Sequence, residues 1–396
     1  MKIKIRAISA GAVALSLAVF MTACSSDTQA LASSSSSESG LPKTIALQGV
    51  LDLTGVAGAS GVAQQKGMQV AISQINKTHF LGSTKLSLKI QDDASQTNIA
   101  SNLFSQIVAS NSPVVFGSGS SAEALAQAPI GQSAGVPTLF SQAASTIASA
   151  GNYVFHTTPV QLDFFPLTLQ YLKDKNIKTV TGIYDTDNPT TTSLFGIMTS
   201  SAKKFGYKVL APQTSVSTQT DISPQITAMV NSHAQAVFVD GLATHNVQII
   251  KQLKAAGYKG LIIGQQGEGG GYLNPLGKLA NGVTFANDFN PGSKNGTAPT
   301  FVKLYKAKYG VAPLNFSAEG YDSVWYAARG IKKANSVSRS AVRNALVTVG
   351  KKGFTGALGD ITYDSARQEI VSGAVLVVLK NNVETLVQPQ PKMPSK

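Results

Sequence analysis

The chain has 396 residues, 33 Lys and Arg against 20 Asp and Glu, four His and one Cys, with a formal charge of +13. Charged residues are only 13% of it. Its lysine pairs, such as Lys203-Lys204 and Lys332-Lys333, are scattered instead of forming a stripe interleaved with aromatics. The excess therefore favours weak attraction to an anionic envelope over nucleic-acid binding, while one cysteine, placed at position 24, excludes disulfides, thiol catalysis and cysteine metal sites from the rest of the chain.

The first element is an N-terminal signal. Lys2, Lys4 and Arg6 precede the apolar run from Ala7 to Phe20, and the small residues Thr22 and Ala23 stand directly before Cys24. That order resembles a bacterial lipoprotein signal, with residues 1–23 removed and Cys24 lipidated. The apolar run is shorter than the roughly 20 residues of a transmembrane helix. Residues 24–40, rich in Ser and Ala with Asp27 and Glu38 as the only charges, read as a tether too poor in large apolar groups to order itself. The chain is thus expected outside the cytoplasm, lipid-anchored to the outer face of a membrane or periplasmic, with no cytosolic cofactor.

Beyond the tether, short apolar runs alternate with helical patterns. The first series runs through strand Thr44 to Leu51, a helix carrying Met68, Ala71, Ile72 and Ile75, strand Leu86-Leu88-Ile90, a helix around Leu103, Ile107 and Val108, and strands Val114 to Phe116 and Val136 to Phe140. A second series takes in strand Thr179 to Tyr184, a helix from Leu194 to Phe205, a strand from Val209, a helix around Ile226 to Val230, strand Ala236 to Asp240, helix Val247 to Ala256 and strand Leu261 to Gly264. Repeated βα units imply an α/β fold with parallel sheets, in two lobes, binding at the carboxyl ends of the strands.

Several stretches resemble one family. Leu51-Asp52-Leu53-Thr54-Gly55, Gly67 through Asn76, Ile90-Gln91-Asp92-Asp93, Phe116 through Ser121, Tyr305 through Pro313 with Glu319-Gly320-Tyr321-Asp322, and Gly356 through Asp364 are similar, in that order, to the periplasmic-binding-protein-like type I receptors, in the leucine/isoleucine/valine-binding branch of ABC-importer solute-binding proteins. The resemblance spans essentially all of the chain after the tether. It implies two Rossmann-like lobes joined by three hinge crossovers, residues 41–158 plus 288–360 forming the N-terminal lobe and 159–287 plus 361–396 the C-terminal one. The implied function is capture of a branched-chain amino acid or related small carboxylate or amide, delivered by a monomer to ABC permease subunits. A ligand-sensing or cell-surface receptor is the alternative from another class.

Within that frame, Gly117-Ser118-Gly119 turns the chain and Ser120 and Glu123 have capping-box spacing. Taken alone, such a box only starts a helix. In the family order, its free amides and positive end would dock a carboxylate, with Ser120 and Ser121 as ligand residues. The resemblance adds Ala143 and the hydroxyl of Ser145. Departures follow. Gly58-Ala59-Ser60 stands where relatives place an aromatic, Leu242-Ala243-Thr244 replaces another, Asp187 through Thr191 replaces a tyrosine-glycine, and Gln266 falls on the acid expected to hold a ligand ammonium, with Glu268 two residues later. Asp187, Gln266 and Glu268 are therefore candidate ligand residues, Asp185 and Asp187 reading equally as turn residues. A neutral Gln266 argues for a ligand without an amino group, since a buried ammonium needs a charge partner; with Glu268 swung in as that partner, an amino acid remains the ligand.

An enzyme is not expected. Gly117 through Ala122 fits G-x-G-x-x-A, but residues 124–151 hold no acid for a ribose. The histidines 79, 156, 233 and 245 have no H-x-x-x-H spacing, and no G-x-S-x-G elbow occurs. Asp92-Asp93 lacks the further oxygen ligands of a metal loop.

Overall fold

The computed structural model describes residues 40–141, 144–242, 244–364 and 369–393. Chain order is β1 (Thr44–Leu51), α1 (Gly58–Lys77), β2 (Lys85–Asp92), α2 (Thr97–Val108), β3 (Val115–Gly117), α3 (Ser121–Ser133), β4 (Thr138–Phe140) and β5 (Val154–His156). Next come α4 (Gln161–Phe164), α5 (Pro166–Asp174), β6 (Thr179–Asp185), α6 (Pro189–Ser200), α7 (Ala202–Phe205), β7 (Lys208–Val209), β8 (Gln213–Ser215), α8 (Ser223–Asn231), β9 (Ala236–Asp240), α9 (His245–Ala255), β10 (Leu261–Gly264) and β11 (Thr284–Asn287). The chain ends with α10 (Ala298–Tyr309), α11 (Asn315–Ala334), α12 (Arg339–Lys352), β12 (Phe354–Gly356), β13 (Gly359–Asp364), β14 (Glu369–Val371), β15 (Val375–Lys380) and β16 (Val383–Leu386).

These strands build two sheets, ordered β12-β13-β14-β5-β4-β3-β1-β2 and β16-β15-β11-β10-β9-β6-β7, with β8 also paired to β6. The βα-linked strands pair in parallel, β1 with β2 and β3 in the first sheet and β9 with β6 and β10 in the second. Antiparallel strands close one edge of each sheet. The chain crosses between sheets after β5, after β11 and after β14. The lobe limit expected at residue 360 cuts through β13, which pairs into the first sheet with β14. The last crossover falls after Val371 instead, because the β12 to β14 ladder is completed by pairing with the distant β5.

Burial on both faces explains the apolar runs. Along β9 every residue is buried, and alternate side chains enter different cores: Val237 and Val239 join Ile249 and Phe285, while Ala236 and Phe238 join Leu169 and Leu194. The first sheet does the same, Phe116 packing with Met68 and Tyr326, and its neighbour Val115 with Phe104. Helices α1 and α11 approach closely at Gly67, where a Cβ would stand 1.8 Å from the Ser317 carbonyl oxygen. Among the described residues no helix is long and apolar enough to cross a membrane.

Candidate functional site

The strand ends and helix starts of the two lobes meet in a cleft whose empty space is about 620 Å³, open mouth included. The first lobe contributes Ser60, Gln64, Ser120, Ser121 and Phe316, and the second Gln161, Thr190, Gln265 and Tyr272. None of the described lining residues is Asp, Glu, Lys, Arg or His.

Two helix N-termini face one another across this cleft. Ser121 starts α3, and Thr190 lies in the first turn of α6, where Pro189 needs no amide partner and Asn188 Oδ1 accepts from Thr190 N at 2.9 Å and Thr191 N at 3.3 Å. Ser121 Oγ and Thr190 Oγ1 are 3.0 Å apart, joined by a hydrogen bond. A second bridge starts from Tyr272, whose hydroxyl donates to Ser60 Oγ at 3.0 Å and accepts from Ser60 N at 2.9 Å. Gly270 and Gly271, with φ of 68° and 82°, reverse the chain to deliver that tyrosine. A Cβ at Gly270 would lie 2.2 Å from the Phe316 ring. The rings of Tyr272 and Phe316 meet edge to face, centroids 6.2 Å apart.

The structure separates the sequence candidates. Ser120 and Ser121 line the cleft, but Ser120 and Glu123 do not form the expected capping box: Ser120 Oγ donates to Asp52 Oδ1 at 2.9 Å, and Glu123 accepts from Thr97 Oγ1 at 3.2 Å. Both side chains found tertiary partners. A capping box forms instead at the short turn Gln266–Glu268, where Gln265 accepts from Gly267 N and Glu268 Oε2 accepts from Gln265 N, each at 2.6 Å. Glu268 is thereby held at a turn, and it does not line the cleft. Gln266, 1% exposed, turns away too and donates to Glu319 Oε1 at 3.1 Å. Asp187 is exposed and accepts from Ser217 N and Oγ. Ala143 and Cys24 lie outside the described residues, and of Ser145 only the backbone, opening the turn Ser145–Ala150, is described.

Asp185 belongs to a buried network, accepting from Ser215 Oγ at 2.6 Å and Leu242 N at 2.7 Å and lying 2.8 Å from His245 Nδ1. Asp92 ties the β1–α1 loop by accepting from Leu53 N, Thr54 N and Ala94 N. Among the described residues no group of three or more His, Cys, Asp or Glu is arranged for a metal. Sequence reading missed Gln64, Gln161, Thr190, Tyr272 and Phe316. The glycine run before Tyr272 was the available signal, since it frees the chain to bring a large ring back toward the other lobe.

Burial pushes the carboxyls of Asp52, Asp288 and Asp322 up to about 7. In the unfolded chain such groups titrate near 4. Between these values the folded state binds more protons, so the unfolding free energy falls as pH rises from about 4 through 7. Thermal unfolding is expected at a higher midpoint at about pH 5 than at about pH 8; the reverse order would contradict it.

The sequence profile of the family described as periplasmic binding protein matches residues 44–383. The chain belongs to that family. Among curated relatives, this periplasmic binding protein is 25% identical over 327 residues to the Leu/Ile/Val-binding protein homolog 7 of Brucella abortus, covering 76% of this chain and 79% of the relative. Its fold is shared with LivJ, the branched-chain amino acid transporter substrate binding protein of Streptococcus pneumoniae, solved with isoleucine (TM-score 0.79, 24% identity, 87% of this chain and 100% of that one). It is also shared with a solute binding protein of an ABC transporter from Rhodopseudomonas palustris, solved with 3,4-dihydroxy benzoic acid (TM-score 0.77, 20% identity, 89% and 99%).

Proposed function

We propose that the chain is a lipid-anchored, extracytoplasmic solute-binding protein of an ABC importer, closing its lobes on a small carboxylate or amide that carries no ammonium group. The observation that carries this reading is the cleft itself: two helix N-termini and neutral hydroxyl and amide groups, with no acid among the described lining residues. A carboxylate gains hydrogen bonds and a favourable dipole at such helix ends. An ammonium would be desolvated without a counter-charge. Neutral Asn, Gln, Ser, Thr and Tyr groups suit a carbonyl or carboxylate, and the Tyr272 and Phe316 rings suit a planar or branched apolar body.

Thermal unfolding in the presence of benzoate, 2-ketoisovalerate, isobutyramide and leucine tests the ligand class. A ligand at 100 times its dissociation constant adds about 2.7 kcal/mol. A rise with carboxylates or amides is expected; a rise with leucine alone would overturn the neutral-cleft reading. Ser121→Ala is expected to weaken the active ligand by roughly 1 to 3 kcal/mol, the usual effect of an unmet bond to a charged or carbonyl group, with the unfolding midpoint of the free protein little changed. Equal affinity in calorimetric titration would reduce Ser121 to a helix start.

A further inference from the structure

Gln64 lies in the second turn of α1, is 4% exposed and lines the cleft. Among the described residues its carboxamide has no hydrogen-bond partner, yet neither Oε1 nor Nε2 is sealed inside protein. The little of it that stays accessible therefore opens on the cleft. Its stem is held from behind by α11: a Cβ on Gly320 would lie 2.2 Å from the Gln64 carbonyl oxygen and 3.0 Å from its Cγ. Glycine at 320 lets the two helices close on the stem and leaves the polar end free.

The other amide side chains of the cleft are wholly or partly engaged. Gln265 Nε2 donates to Gly241 O at 3.3 Å, and its Oε1 accepts from Gly267 N at 2.6 Å. Asn188 Oδ1 caps α6, which leaves only a donor, Nδ2. Gln161 Oε1 is sealed within protein without a partner. Among the described Asn and Gln side chains that line the cleft, Gln64 alone presents a donor and an acceptor together, and it does so whichever way its amide is turned. Ala63, the residue before it, shares an apolar cluster with Leu242, Tyr272 and Phe316, so the polar end and the apolar wall adjoin.

Resting on the cleft reading above, we infer that the polar end of the ligand is a primary carboxamide and that Gln64 is the residue that selects it over the matching carboxylate. The ligand N–H meets the Gln64 oxygen and the ligand carbonyl meets the Gln64 N–H, a ring of two hydrogen bonds. A carboxylate brings two acceptors and no donor, so the Gln64 oxygen would be dehydrated against it without a bond. A methyl ketone of the same shape fails for the same reason without carrying a charge. Sites built to bond an N–H reject the analogue lacking it more sharply than an apolar pocket rejects a change of one methylene.

Calorimetric titration of the whole protein compares each amide with its acid and its methyl ketone: benzamide with benzoate and acetophenone, and isobutyramide with isobutyrate and methyl isopropyl ketone. At least one amide is expected to bind more tightly than both of its counterparts by about tenfold or more, and Gln64→Met, close in volume, should cut that preference by about tenfold. A merely structural role for Gln64 would weaken all three compounds in proportion and leave the preference intact, and that result would overturn the inference. So would a carboxylate that outbinds its amide, or a ketone that equals it, each read in the unaltered protein and so independent of whether the variant folds. Tight carboxylate binding of that kind would leave the neutral-cleft reading standing, whereas binding of leucine and of none of these compounds would sink both.

Discussion

Asp322→Ala is expected to lower the unfolding free energy by roughly 3 kcal/mol, from two buried amides left without an acceptor. Asp322 sits on α11, fully buried, and its two oxygens accept from Ala357 N and Leu358 N, each at 2.8 Å. Those amides form the turn between β12 and β13, and Gly356 gives the carboxylate room, since a Cβ there would stand 2.5 Å from Oδ2. The edge of the first sheet is thus pinned to the helix that packs on its core. Burial pushes this carboxyl up to about 7. Asp322→Asn keeps one acceptor and removes the titration, so it should cost less and flatten part of the decline in stability between about pH 4 and 7. Chemical denaturation reads both. An Asp322→Ala variant within about 1 kcal/mol of the parent would mean that the turn finds other acceptors.

The alternation of strands and helices was legible because both faces of each parallel sheet are buried. Thr44 to Leu51, Ala236 to Asp240 and Leu261 to Gly264 are strands at the places where apolar runs put them. What sequence could not carry was partnership at a distance. The segment 354–371 is modestly apolar, and its place in the first lobe is set by partners far along the chain, the β5 strand and Asp322 of α11. Ser120 and Glu123 have the spacing of a capping box, yet Asp52 and Thr97 compete for them successfully. Gln265 and Glu268 have the same spacing and do form one, hidden by an N-cap residue type outside the usual Ser, Thr, Asp and Asn. The aromatic wall missing at Gly58-Ala59-Ser60 is supplied from elsewhere by Tyr272 and Phe316, two rings that only the folded chain brings together.

Gln266→Glu, which places an acid where the family resemblance expects one, should destabilise the fold by about 3 kcal/mol at pH 8 and give no leucine site, as expected of a buried charge set beside another. Gln266 is a donor here: its Nε2 reaches Glu319 Oε1 at 3.1 Å, an oxygen that also receives Asn315 Nδ2 at 3.3 Å. Asp288, whose carboxyl burial has already pushed up to about 7, lies against the same group. A glutamate at 266 would replace the donor with a further acceptor, so the new pair must share a proton, and its carboxyl pKa in the folded state is raised. The folded variant then binds a proton that the unfolded chain has released above about pH 4, and the deficit should shrink as pH falls from 8 toward 5. Denaturation at both pH values, with a leucine titration alongside, reads the two halves of the expectation. Tight leucine binding by the variant would require the side chain at 266 to reach the cleft, and would return the ammonium partner to the position that Gln266 now keeps neutral and turned away.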